Sequence, residues 1–494
     1  MIRRVGPDDW ADWRLLRQRS LTEDRQAFAA SAQLWTGVDD TEERWRGLLA
    51  TDACFIAYDG DVPVGMVAGR VDGDAATLNS MWVAPEARQR GAGRQLIDAV
   101  VAWSAGRELS LRVIDGNAAA IGAYEAAGFV LQEGVDAEQC RTMVWRPPPH
   151  RLVVAPFGDF RGRFARRVGL RGVLRDTDRV ARRVPPPSEA AVDAMTWEPR
   201  DQNTTRWWPQ GITTSADAYP GSGGDGTFEG RSVVIASWYA RGRIGRLLGS
   251  RLSVVDGVDG RAHGYRHVLL MEQVRAGRFL RWFRPVRVHA GGIVWFGDHL
   301  YVAGSSRGIR VFRLDDILRV RNRLWSRGYR HVLPQLTTYV SERDADAVPL
   351  TYSFLSLDHS GDVPHLVAGE YGRKGGSHRL VRFALDPDTG LLRSDDRGWA
   401  VPSALYDRQV ARMQGATVVG GTWFVTASAG EGVPGDLWVG RPGAYTRHRG
   451  VLPTGPEDVT YWPQRGQVWT LTEWPGRRWI FGLAVAEWAG KGGG

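Results

Sequence analysis

Lysine is almost missing from this chain of 494 residues: Lys374 and Lys491 are the only two among 64 basic side chains, and the other 62 are arginine. With plentiful alanine and glycine, that bias points to a GC-rich coding sequence before it points to a function. Cysteine is equally scarce. Cys54 and Cys140, both inside apparent strands, exclude a disulfide framework and a cysteine-rich metal centre and are expected to be buried, inert thiols. No apolar run approaches the roughly 18 residues that a membrane-spanning helix needs. The opening residues 1–10 lack the apolar core of a secretory signal, so the expected address is cytoplasmic. The net charge of +9 is unevenly placed. Residues 151–185 hold ten arginines against Asp159, Asp176 and Asp178, so most of the excess sits in one segment, and no nucleic-acid partner is expected.

What is present begins with residues 1–147, which read as a compact α/β unit. Trp10, Trp13 and Leu16 are spaced for one helix face, and Trp45, Leu48 and Leu49 for a second. Asp59-Gly60 and Asp72-Gly73 separate the apolar runs 55–58, 62–67 and 77–83 as hairpin turns do. A strand at 109–114, a helix at 118–127 capped by Asn117, and strands near 129–131 and 141–145 close the unit. Between them, Arg88-Gln89-Arg90-Gly91-Ala92-Gly93 follows an apolar strand and opens the helical pattern Leu96, Ile97, Val100, Val101. A strand that ends at a glycine-rich helix N-terminus turns N–H donors and the positive end of the helix outward, which suits a pyrophosphate. Gly91 and Gly93 admit a close approach of the backbone, and Arg88, Arg90 and Arg94 add positive potential.

Arg88, Gly91 and Gly93 stand where the acetyl-coenzyme A motif of the GNAT N-acetyltransferases has its signature residues, and the segment resembles that motif. Asn117, Tyr124 and Gly128-Phe129 match the family's second motif, so the resemblance covers residues 1–147. It implies an acyl-CoA-dependent N-acetyltransferase that moves an acetyl group from its cosubstrate acetyl-CoA to a primary amine on a small molecule or a protein. By the same resemblance, the backbone of Met81, Trp82 and Val83 pairs with the pantetheine arm. Arg88, Gln89, Arg90, Gly91, Ala92, Gly93 and Arg94 hold the pyrophosphate, Asn117 bonds the pantetheine amides, and Tyr124 is the general acid for the leaving thiolate. A phenol of pKa about 10 facing a thiol of about 8.5 makes that transfer only modestly uphill. No metal ligand is expected. Family members often carry an acid on the strand before the loop, where this chain has Asn79 and Ser80. Glu43 acting through water, or capture of the neutral amine, are the alternatives.

Triple prolines at 147–149 and 185–187 bracket residues 148–192, expected to be an Arg/Pro-rich linker in which 173–182 forms a solvated basic helix. From residue 193 the chain holds 15 of its 22 tryptophans and many short β-type runs. Pro209-Gln210-Gly211-Ile212, His289-Ala290-Gly291-Gly292-Ile293, Gln414-Gly415-Ala416 and Pro456-Glu457-Asp458-Val459 each precede a turn and an aromatic-rich strand, and a fifth unit lies near 354–383. This repetition predicts a β-propeller of five or six blades over 193–494, with a sandwich or irregular barrel as the alternative. The segment is similar to actinobacterial propeller proteins of unassigned function. Gln210, His289, Gln414, Glu457 and Asp458 are expected near a central channel, either bonded within the first strands or holding a metal or small ligand. The expected whole is multidomain, a GNAT α/β domain followed by an all-β propeller that recognises the substrate or a partner. A scaffold with a degenerate transferase domain, or a metal-dependent hydrolase in the propeller, are the competing readings.

Overall fold

The computed structural model describes residues 1–29, 37, 40–73, 75–104, 107–156, 165–218, 224–242, 247–257, 262–276, 280–321, 323–361, 363–372, 378–395 and 397–489. Two compact units divide them: Met1–Pro149 with Gly361–Val363 and Arg393–Ala404, and the remainder. No helix among the described residues is long and apolar enough to cross a membrane.

The first unit runs β1 (Ile2–Val5), α1 (Trp10–Glu23), α2 (Glu42–Thr51), β2 (Ala53–Asp59), β3 (Val62–Asp72), β4 (Ala75–Val83), α3 (Ala92–Trp103), β5 (Leu109–Ile114), α4 (Ala118–Ala126), β6 (Val130–Leu131) and β7 (Cys140–Trp145). Its sheet has the order β1-β2-β3-β4-β5-β7-β6. Gly60 and Gly73 take the left-handed φ of 60° and 59° that the two tight Asp-Gly turns require. β4 and β5 are parallel, and α3 is the crossover between them. The stripe read from the sequence as the apolar face of α3, Leu96, Ile97, Val100 and Val101, is buried in one core with Trp13, Leu16, Trp45 and Leu49. Cys54 and Cys140 are free and buried, and burial pushes the Cys54 thiol well above its usual range.

The second unit contains five antiparallel groups. They begin with the strands Trp207–Thr214, Ile293–Phe296, Phe354–Asp358, Met413–Val419 and Pro456–Trp462, and each continues outward through at least two further paired strands. The last group takes an outer strand from earlier in the chain: Ala191–Thr196 pairs with Trp479–Ala484, tying the two ends of the unit together. The first strands follow one another cyclically. Trp295 N–H donates to Thr213 Oγ1 (3.0 Å), and Ile212 N–H donates to Asp458 Oδ2 (3.1 Å). Ser356 donates its hydroxyl to the Ala416 carbonyl. The glycines of the repeat sit at these close approaches. A Cβ on Gly292 would stand 1.9 Å from the Leu355 nitrogen, and one on Gly415 would stand 2.6 Å from the Val459 nitrogen.

Two expectations change here. Gln210, Gln414, Glu457 and Asp458, expected ahead of the turns, lie within strands, and Trp207–Thr214 and Ile293–Phe296 are buried at every position, so they show no alternation. Residues 148–192, expected as a linker, supply His150–Pro156 against His331–Arg343, Ala165–Arg167 against Leu318–Val320, and Arg179–Arg183 against Ala262–Ala276. In place of a solvated helix over 173–182, a short helix Gly169–Leu174 buries Val173 and Leu174, and a strand follows in which Ala181 is buried. Three of the arginines have carboxylate partners: Arg179 pairs with Asp201 at 3.0 Å, Arg183 with Asp193 and Arg171 with Glu229.

The polar residues of the repeat close hydrogen bonds on one another. Gln210 Nε2 donates to Glu473 Oε2 (3.0 Å) and Gln414 Nε2 to Glu457 Oε1 (3.0 Å), while the two glutamates are themselves hydrogen-bonded. His289 lies against Tyr239 with ring centroids 4.3 Å apart. Among the described residues no group of acids, histidines and cysteines is arranged to hold a metal. Burial raises the carboxyls of Glu457 and Asp458 well above their usual range and pushes Glu473 up to about 7.

Gly292→Ala places a methyl group inside a neighbouring backbone and is expected to destabilise the second unit by more than roughly 3 kcal/mol, read by denaturant unfolding. The raised carboxyl of Glu473 gives a stabilisation that is complete below its ordinary 4.5 and is lost as pH rises through about 7. The unfolding temperature of the second unit is therefore expected to fall across that window, and the fall to shrink in Glu473→Gln. Identical pH profiles for the two proteins would remove the shared proton from the account.

Candidate active site

The site is built on an irregularity in β4. β4 pairs with β5 only over Ala76–Leu78, opposite Leu109–Leu111. On its other side its register with β3 slips between Asn79 and Trp82, and Ser80 takes a left-handed φ of 55°. A bulge of this kind bends the strand, so β4 leaves β5 after Leu78. The outer stretch, which includes Met81, Trp82 and Val83, keeps its pairing with β3 through Trp82–Met66 and Val83–Gly65 and, among the described residues, has no strand paired on its β5 side. A strand edge without a partner is one to which an extended chain of amides can add.

The loop after β4 is positioned by a residue the sequence gave no reason to single out. Asp24, just past α1, accepts from Trp82 Nε1 (2.7 Å) and from the Arg88 guanidinium, while Arg88 Nε donates to the Val83 carbonyl (2.9 Å). Burial opposes ionisation of Asp24, yet these two donors outweigh it and hold the carboxyl below its ordinary value. Arg88 therefore acts as a brace between strand and loop. Arg94 is similar: it bonds Asp98 (2.9 Å) and the Ala126 carbonyl (2.7 Å), joining the first turn of α3 to the end of α4 and so joining the two motifs. Arg90, exposed, lies 3.6 Å from an equally exposed Asp59. Each arginine that the sequence assigned to positive potential thus has an intramolecular carboxylate partner.

The backbone of the loop offers donors of its own. Gln89 and Gly91 both take left-handed conformations, φ 61° and 89°, and Gly91 is the N-cap of α3 with no side chain capping the helix. The first-turn amides, Ala92 and Gly93 among them, have no intrahelical acceptor by construction. Gly93 turns its α-carbon toward Met81 and Val83, where a Cβ would lie 3.5 Å from Met81 Cε. An uncapped helix of 12 residues behind a turn of this shape fits a diphosphate.

Asn117 caps α4, accepting from Ala120 N–H (3.2 Å). Tyr124, on the same helix, is 7% exposed and stands edge-on to Phe129 with ring centroids 5.7 Å apart. Its hydroxyl has no hydrogen-bond partner among the described residues, and burial drives its pKa well above the ordinary phenol value. Asn79 and Ser80 are half-buried beside the bulge, and Glu43 is an exposed residue in the first turn of α2.

Residues 12–129 match the family model described as the acetyltransferase (GNAT) family. YfmK of Bacillus subtilis strain 168, named an uncharacterized N-acetyltransferase, is 27% identical over 114 residues, covering 20% of this chain and 76% of its own. Among solved structures, the PaiA N-acetyltransferase of Thermoplasma acidophilum, in complex with coenzyme A, is 15% identical over 30% of this chain and 98% of its own, with a TM-score of 0.26. The ribosomal-protein-S18-alanine N-acetyltransferase of Escherichia coli is 20% identical over 30% of this chain and 92% of its own, with a TM-score of 0.23. The N-terminal part of the chain is an acetyltransferase domain of the GNAT family, an enzyme domain whose acyl donor is acetyl-CoA.

Proposed function

We propose that this chain transfers the acetyl group of acetyl-CoA to a primary amine, and that its second unit is a five-bladed propeller serving recognition of the acceptor or of a partner. The observation that carries the catalytic part is the uncapped N-terminus of α3, with left-handed Gln89 and Gly91, set beside the stretch of β4 that β5 does not cover. The cyclic succession of five first strands, and the closing of the last group by Ala191–Thr196, support the propeller. Placing a domain boundary near residue 149 rather than 192 follows from the strands that 150–183 contribute to the second unit.

Acetyl-CoA supplies the acetyl group as a thioester. The amides from Gln89 to Gly93 hold its pyrophosphate, and the uncovered edge of β4 from Met81 to Val83 pairs with the pantetheine arm. A main-chain N–H at that edge also donates to the thioester oxygen as negative charge builds on it. The amine nitrogen bonds the acetyl carbon, the carbon–sulfur bond breaks, and the departing sulfur takes its proton from the Tyr124 hydroxyl. The proton lost by the amine passes to water, since β4 carries Asn79 and Ser80 in place of an acid. Burial raises the Tyr124 phenol above its ordinary value, so the transfer is more uphill than between a free phenol and a free thiol and needs a direct hydrogen bond to the departing sulfur.

Mass spectrometry of candidate amines incubated with the full chain and acetyl-CoA is expected to show addition of one acetyl group; coenzyme A binding without turnover over a broad amine panel would favour a scaffold instead. Gly91→Glu, which puts a charged side chain on a left-handed glycine at the phosphate loop, is expected to abolish acetyl-CoA uptake in calorimetry. Tyr124→Phe is expected to slow turnover by roughly a hundredfold while KM for acetyl-CoA stays within a factor of about 3. Undiminished turnover in this variant would remove Tyr124 from the reaction.

A further inference from the structure

One cavity of the second unit is walled by arginine. It has a volume of about 610 Å³, inside the range of roughly 300–1,000 Å³ typical of small-molecule sites, and eight arginines line it. Four of them are held by carboxylates. Arg251, 5% exposed, bonds Asp201 (2.9 Å), and Arg179 reaches the same carboxylate at 3.0 Å. Arg266 pairs with Asp178 (3.0 Å) and Arg330 with Asp176 (3.1 Å). The other four, Arg200, Arg206, Arg323 and Arg327, have no carboxylate within reach among the described residues.

These four are exposed, and their like charges around one small cavity repel one another. Their backbone is held in place. Between Arg323 and Arg330, Gly328 N–H donates to the Arg323 carbonyl (2.9 Å), and the Ser326 hydroxyl donates to the Tyr329 carbonyl (2.6 Å). Arg327 itself takes a left-handed φ of 55°, a conformation a bulky residue keeps only where its surroundings impose it. On the opposite wall, the Asn203 amide donates to the Pro199 carbonyl (2.9 Å), and Arg206 N–H donates to Thr204 Oγ1 (3.2 Å). An aromatic patch adjoins the charges: Trp207 and Tyr329 meet edge to face at 6.4 Å, and Arg251 stacks on Trp207 at 4.4 Å.

We infer that this cavity binds a small polyphosphate, free or as the phosphate tail of a nucleotide. Guanidinium forks match phosphate oxygens in pairs, and four unpaired forks match an anion of three or four charges better than a single carboxylate. A concave site of this volume suits a compact ligand rather than a nucleic-acid duplex. The inference does not rest on acetyl transfer, because every residue it uses belongs to the second unit.

The test is calorimetric titration of the full chain carrying Gly91→Glu, so that the phosphate loop of the first unit is blocked, with inorganic triphosphate, orthophosphate and ATP at low ionic strength. Saturable one-to-one uptake of triphosphate, tighter than of orthophosphate, is expected. Charge reversal of the exposed pair Arg323→Glu/Arg327→Glu, and separately of Arg200→Glu/Arg206→Glu, is expected to weaken binding roughly tenfold or more, with the unfolding temperature kept as the control for folding. ATP binding more tightly than triphosphate assigns the cavity to a nucleotide through Trp207 and Tyr329, and equal affinity assigns it to free polyphosphate. Absence of triphosphate binding, or unchanged affinity in both folded charge-reversed chains, overturns the inference.

Discussion

The loss of pairing between β4 and β5 after Leu78 is the constraint from which the chemistry of the first unit follows. A sheet that stayed paired along this edge would satisfy its own amides and leave nothing for a ligand. The bulge at Ser80 bends β4 away, the chain turns through left-handed Gln89 and Gly91, and α3 begins with its first amides uncapped. Two groups of unspent hydrogen-bond donors, one on a strand and one on a helix end, are thereby fixed in one rigid piece of backbone. Asp24 fixes that piece further by gripping Trp82 and Arg88 together. Arg88, Arg94 and Asp24 bond strand, loop and helix to one another, and the main-chain amides are left without side-chain caps.

The second unit obeys a different constraint, the close approach of strand backbones where its five groups meet. At Gly292 and Gly415 the neighbouring chain lies where a Cβ would be, so glycine is demanded by distance and not by dihedral angle. Glu457 and Asp458 are buried in this crowded region, and burial raises their carboxyls, and that of the half-buried Glu473, above the ordinary range. Charge in this unit is not confined to its surface: the arginines form ion pairs with Asp176, Asp178 and the buried Asp201, and they outnumber the carboxylates at one cavity.

Much of this was legible in the sequence because the signals are local. The Asp59-Gly60 and Asp72-Gly73 turns, the strand 109–114 and the apolar stripe of α3 each announce themselves within a dozen residues, and so do Gly91 at a helix start and Asn117 as a cap. The strand triplets of the second unit were legible for the same reason. The first strand of each group was not, since burial on both faces removes the alternation that marks a strand. The strands between 150 and 183 were hidden by their arginines, whose carboxylate partners, such as Asp193 and Asp201, lie 10 to 22 residues away in the chain. Asp24 was hidden because its partners Trp82 and Arg88 are 58 and 64 residues distant, and no local pattern connects them. The expected roles of Arg88, Arg90 and Arg94 came from their place around a glycine-rich helix start and from the motif it resembles, and neither reveals that each already has a partner.

The central claim is that backbone amides at the start of α3 do the gripping. Amide hydrogen exchange across Gln89–Gly93 in the full chain, followed with and without acetyl-CoA, reads those donors directly. The account predicts strong protection there and along Met81–Val83 when acetyl-CoA is present. Acetyl-CoA that binds while these amides exchange as freely as before would contradict it.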